Sequence, residues 1–260
     1  MKNFIEATAI LMEKPESYGL FHLLFFFIGL GVSIFGAYLL RNTNEKQNKI
    51  VLGVVGGFLI LTEVYKQLFY FYVMDTPGQY TWWIFPFQLC SVPMYLCIIV
   101  LFIKNEKVKS FIYEFLFTIN MFGGLVSFCE PSGLNHSYLT LTLHAYIWHM
   151  CLIFIGLYLY FSKRACNNPK GYLKALPIFG GLCVIAQMFN IFLRKPGLNM
   201  FYISPYVQSP LAVFETIYAN YGWLVNMVLY LFAICLGSAI VYYLFLLGRK
   251  IKFKKAKKDE

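Results

Sequence analysis

"LFHLLFFFIGLGVSIFGAYLL", residues 20–40, is the stretch that decides the fold. A helix spanning the bilayer core needs about 20 apolar residues, and this run supplies them. A signal-peptide core is only about 7–15 residues long, so the run reads as a retained first span rather than a cleaved leader. Six more runs of similar character follow, at about 50–73, 82–103, 110–129, 138–161, 172–193 and 223–247. Composition agrees: of 260 residues, 59% are hydrophobic and only 13% charged, against roughly a quarter charged in soluble domains. Mean hydropathy is +0.62. The expected fold is all-α: a polytopic membrane helical bundle of about seven transmembrane helices, forming one integral membrane domain over 1–260 in the cell membrane. The connections are short except 194–222, which is rich in Pro, Tyr and Asn.

Charge orients the bundle. The connections 41–49, 104–109 and 162–171 carry three Lys or Arg each, and the segment 248–260 carries seven more. The opposite side carries Lys2, Lys14, Arg194 and Lys195. The positive-inside rule therefore predicts an N-terminus outside and a cytoplasmic C-terminus. The basic tail "RKIKFKKAKKDE" (249–260) is expected to meet anionic lipid headgroups, at about 1 kcal/mol per Lys or Arg, and not nucleic acid.

Seven cysteines, 90, 97, 129, 151, 166, 183 and 235, form no C-x-x-C pair, so neither a zinc site nor a redox dithiol is expected. No Walker loop, H-E-x-x-H, G-x-S-x-G or dinucleotide fingerprint is present, and no metal or cofactor is expected. The glycines of "GVVGG" (53–57) read as close helix packing.

Ionisable groups inside a bilayer are costly and by default suggest function. Glu63 lies about 15 Å below the outer end of the second run, at ~1.5 Å per residue. Lys66, Gln67 and Tyr70 share its helix face, and Lys66 is placed to pair with Glu63. Gln88 and Cys90 lie roughly 9–12 Å below the outer start of the third run, and His144 and His149 roughly 9–17 Å down the fifth. Asn120, Gln187, Asn190 and Asn226 fall at comparable levels, while Glu114 alone lies clearly in the inner half. This clustering by depth is expected either of a cavity open toward the outer leaflet or of a hydrogen-bonded interhelical network.

The third run, "WWIFPFQLCSVPMYLC" (82–97), carries two prolines. Pro93 deprives the Leu89 carbonyl of a helical donor, and Pro86 belongs to a first turn. A bent segment with free backbone acceptors follows, and such backbone is tolerated at membrane depth only against protein or a wet cavity. Gln88 and Cys90 are therefore expected to line the interior. A thiol there becomes reactive only beside a base or cation, and His149 or His144 lies at a suitable depth to serve as base.

At "FPFQLC" (85–90) and "YIWHMCLIF" (146–154) the chain resembles the YwaF-type bacterial integral membrane proteins, distant relatives of the transmembrane protein 164 family of lipid acyltransferases. The YwaF-type pattern is Leu-Pro-Leu-His-Leu-Cys, here Phe85-Pro86-Phe87-Gln88-Leu89-Cys90. A second stretch, "FNIFLRKPGLNMFYISP" (189–205), matches at Asn190, Asn199, Met200 and Phe201. The animal relatives imply an acyl-cysteine intermediate and an essential histidine. His149 matches that histidine. Their cysteine directly follows the proline, where this chain has Phe87; Cys90 matches the bacterial pattern instead, and Gln88 replaces that pattern's histidine.

Three readings remain open at this level. The first is a lipid acyltransferase or acyl hydrolase, with Cys90 as nucleophile, His149 as base, and Glu63 or Asn120 orienting the histidine or stabilising an oxyanion; Gln67, Gln88, His144, Gln187, Asn190 and Asn199 would line its cavity. The second is a transporter or receptor for a small amphipathic ligand. The third is a non-catalytic membrane partner whose polar groups only hold the bundle together. Membrane lipids are the expected partners in each.

Overall fold

The computed structural model describes residues 1–74 and 79–256. Its helices are α1 (Lys2–Ala7), α2 (Leu20–Leu39), α3 (Glu45–Phe69), α4 (Val92–Ile99), α5 (Glu106–Phe115), α6 (Met121–Cys129), α7 (Leu139–Phe161), α8 (Tyr172–Leu193) and α9 (Ala212–Ala256). Local chemistry starts several of them. Asn44 and Gln47 form a reciprocal capping box at α3, and the Asn105 side chain accepts from Lys107 and Val108 N–H at α5. Each satisfies donors that a helix start leaves unpaired. A five-residue π turn, Leu116–Asn120, joins α5 to α6 into one continuous rod.

Among the described residues, six helical stretches are long and apolar enough to cross a membrane: Leu20–Asn42, Glu45–Met74, Glu106–Cys129, Leu139–Phe161, Tyr172–Leu193 and Val213–Ile251. The chain is a multi-pass membrane protein with an all-helical bundle. α7 and the α5–α6 rod form its centre, with Phe115, Leu116, Phe117, Leu152, Tyr158 and Leu159 fully buried. α2, α8 and α9 lie outside and expose apolar side chains such as Phe27, Phe35, Phe192 and Phe232. Apolar, exposed helix faces are what a bilayer solvates.

The run 82–103 departs from a continuous span. It is a 3-10 turn (Trp82–Ile84), an irregular stretch over 85–91, and the two-turn α4. Pro93 sits in the first turn of α4, where its missing N–H costs nothing, so it starts a helix rather than kinking one. The run still packs alongside α3 over more than half of that helix. Gln67 Nε2 donates to the Ile84 carbonyl at 2.8 Å, Gly56 lies against Cys97 and Ile98, and Gly53 against Leu101. The pairing covers about 21 Å of α3 at ~1.5 Å per residue. A Cβ at Gly56 would come within 2.9 Å of Cys97 Cβ, so glycine permits this approach.

The long connection is also shorter than the sequence suggests. α9 begins at Ala212 and breaks at Gly222, whose φ of 79° no helix uses. The connection proper is 194–211, with a 3-10 turn at Met200–Tyr202. At the same end of the bundle α1 packs on α3, and the 8–12 segment pairs with 137–139 through Leu139 N–H to Ile10 O and Met12 N–H to Ser137 O. We call this the loop end. The opposite, basic end is tied by Arg164, which donates to the Thr43 carbonyl and pairs with Glu45 at 3.1 Å. There the buried Glu114 accepts from Cys166 N–H. Of the basic tail, 257–260 lie outside the described residues.

Candidate active site

The polar residues that share a depth in the sequence sort into three groups. The first is built on α3. Glu63 accepts from Gln67 Nε2 at 2.6 Å and pairs with Lys66 at 2.9 Å. Gln67 also accepts from the Tyr80 hydroxyl. Burial, with Glu63's negative charge adding to it, pushes the Tyr80 phenol up to about 12, so it remains a donor. This group ties α3 to the start of the 82–103 run.

The second group closes the loop. Gln88 donates to the Asn199 carbonyl and accepts from Phe201 N–H. Asn190 accepts from Met200 N–H at 2.7 Å and donates to the Met200 carbonyl and to Gln187. Asn199 donates to the Val207 carbonyl and accepts from Ser204 N–H. Phe201 and Tyr202 have φ of 57° and 56°, a left-handed conformation that leaves their neighbours' backbone groups without regular partners. Gln88, Asn190 and Asn199 supply those partners, so the three act as a clasp on the loop.

The third group surrounds Cys90 and His149. Cys90 lies in the irregular 85–91 stretch, and its carbonyl accepts from Trp148 Nε1 at 2.9 Å. The Pro86 carbonyl accepts from the Tyr95 hydroxyl. Two backbone acceptors of this stretch, the Cys90 and Pro86 carbonyls, are thus each met by a side chain. Trp148 directly precedes His149 on α7. His149 Nδ1 lies 2.7 Å from the Ala145 carbonyl. A carbonyl only accepts, so Nδ1 carries the proton and Nε2 keeps its lone pair. The charges of Lys66 and Glu63 both reach Cys90 and oppose each other there, that of Lys66 also reaches His149, and Tyr202 and Tyr230 lie near enough to Cys90 to interact electrostatically with it.

His144 lies on the same helix within electrostatic range of His149 and Lys66. Its ring tilts against Trp148 at 5.4 Å and lines a lateral apolar groove between α3 and α7 with Phe58, Thr62 and Tyr65. Asn120 anchors α6 to α7 by donating to the Leu116 and Leu152 carbonyls, which leaves its amide oxygen buried and without a partner among the described residues. Phe87 stacks on Phe201 at 5.8 Å and meets Phe189 edge-on at 5.0 Å, packed into the loop clasp. Trp148, Tyr80 and Tyr95 were missed by the sequence reading. Trp148 alone left a signal, its place beside His149 in "YIWHM". Among the described residues no three His, Cys, Asp or Glu side chains gather as a metal site.

The Trp148 bond thus brings the stretch that carries Cys90 against the turn of α7 that carries His149. The sequence model of the TMEM164 family matches residues 17–247. No curated protein and no solved structure matches the chain.

Proposed function

The chain belongs to the TMEM164 family, and from that premise we propose that it is a membrane-embedded lipid acyltransferase or acyl hydrolase using Cys90 and His149. The observation that carries this reading is the Trp148 Nε1–Cys90 carbonyl bond, which pegs the thiol-bearing residue to the turn of α7 that displays His149.

The chemistry follows from the groups present. His149 Nε2 takes the thiol proton as the Cys90 sulfur attacks a lipid ester carbonyl. The C–S bond forms, the ester C–O bond breaks, and His149 returns the proton to the departing alcohol. A lysolipid hydroxyl or water then attacks the thioester, its proton passes through His149, and the thiol is regenerated. Lys66 is the cation that favours thiolate and oxyanion here, with part of its field offset by the Glu63 carboxylate 2.9 Å away, while the Asn120 amide nitrogen is committed to two backbone carbonyls.

The test is acyl exchange in proteoliposomes holding a phospholipid with a labelled acyl chain and an unlabelled lysophospholipid. Wild type moves the label. Cys90→Ser falls to background, and His149→Gln loses about 100-fold or more, the low end of general-base contributions. A Cys90→Ser protein that is folded and exchanges at the wild-type rate would overturn the proposal. A second reading, binding of a small amphipathic ligand, draws on the ionisable Glu63–Lys66 pair. It predicts saturable ligand binding that Cys90→Ser leaves unchanged.

A further inference from the structure

A cleft of about 320 Å³ opens at the loop end between the C-terminus of α8 and the 194–211 loop. Asn190, Arg194, Lys195, Gly197, Tyr206 and Val207 are among its walls. Its volume falls within the roughly 300–1,000 Å³ of small-ligand sites.

Its charge is fixed in place. The Arg194 guanidinium lies 4.2 Å from the Tyr206 ring centroid, and the Lys195 ammonium 5.4 Å from that of Trp82. Arg194 adopts a left-handed φ of 43° as the cap of α8. Lys195 opens a tight turn closed by Leu198 N–H to its carbonyl at 3.1 Å, with Pro196 second and Gly197 third at φ 73°, the pattern of a type II turn. Among the described residues no carboxylate forms an ion pair with either cation. The C-terminal end of α8 itself favours cations, but that weak partial charge does not neutralise two of them.

We propose that this cleft binds a phosphate group, and that the group is the phosphodiester of a membrane phospholipid headgroup. Guanidinium matches phosphate by paired, charge-assisted N–H···O contacts, and an ammonium adds a point charge beside it. The lipid source follows from what borders the cleft. The last turns of α8 expose Met188, Ile191 and Phe192, an apolar surface leading away from the cations on which acyl chains can lie. Trp82 and Tyr206 are residue types that settle at the headgroup level. Trp82 also begins the segment that leads to Cys90, so a headgroup held here is tethered at the entrance to that segment. The inference goes beyond the acyl-transfer reading, because headgroup binding requires neither Cys90 nor His149.

The experiment uses the full chain in a phosphate-free maltoside detergent, with the Cys90→Ser change so that turnover cannot consume lipid. Native mass spectrometry follows titration with phosphatidylglycerol, with oleate as an anionic lipid lacking phosphorus, and with inorganic phosphate. One phosphatidylglycerol is expected per chain. Arg194→Asn with Lys195→Gln should weaken it at least tenfold, and Lys14→Gln should leave it within twofold. Asparagine tolerates the left-handed backbone at 194 and both side chains are exposed, so the fold is retained; an unchanged melting temperature checks this. Binding of the double variant within twofold of the parent, or equal binding of oleate, would overturn the phosphate site. Inorganic phosphate binding as tightly as the lipid would overturn the headgroup assignment.

Discussion

Lys66 is the residue on which the interior depends. Its ammonium is 2.9 Å from Glu63, whose side chain is only 5% exposed, and its charge reaches both Cys90 and His149. Removing one partner of a buried ion pair leaves an uncompensated charge and costs about 3–5 kcal/mol. Lys66→Met should therefore lower unfolding stability in detergent by about that much, and adding Glu63→Gln should recover most of it. A single-variant loss below about 1 kcal/mol would show that the pair is solvated instead. The Glu63–Lys66 pairing is legible from i,i+3 spacing on one helix. The partners of Gln88, Asn190 and Asn199 are not, because they are backbone groups of a loop whose left-handed residues, Phe201 and Tyr202, carry no glycine to announce them.

Among the elements, the 85–91 stretch and the 194–211 loop are stabilised by each other. Gln88 holds Asn199 and Phe201, and Phe87 stacks on Phe201. Asn190→Ala strands the buried Met200 N–H and leaves the Met200 carbonyl only its Ile203 N–H donor. An unsatisfied buried group costs about 1–3 kcal/mol. Hydrogen exchange should accordingly rise over 199–208 while α7 keeps its protection; equal loss in α7 would mean that the loop and the core open as one unit. The apolar runs behind α2, α3, α7 and α8 were legible because length and hydropathy alone define a spanning helix. Those quantities do not separate helix from irregular backbone, so 82–103 read as one span. Its prolines carried the missing information, since Pro86 falls in the unwound stretch and Pro93 begins α4.

At the scale of the whole molecule, a buried centre of α7 and the α5–α6 rod is wrapped by lipid-facing helices, and the family match covers nearly the whole chain. Orientation remains the charge-based expectation that the loop end faces outside. The exposed native Cys129 lies at that end, so it should react with an impermeant maleimide on intact cells, whereas a cysteine at Lys107 should react only after permeabilisation. The reverse pattern would invert the bundle. The depth clustering of polar residues was visible in the sequence, but its division into a lock, a clasp and a Cys–His neighbourhood needed three dimensions. Covalent chemistry at Cys90 is the central claim, and intact-mass analysis of protein purified with its lipids, with and without neutral hydroxylamine, tests it most directly. Wild type should carry an acyl mass that hydroxylamine removes, absent from Cys90→Ser and formed more slowly in His149→Gln, which lacks the base for both acylation and discharge. No such adduct on wild type or His149→Gln, even with added phospholipid donor, would contradict the account.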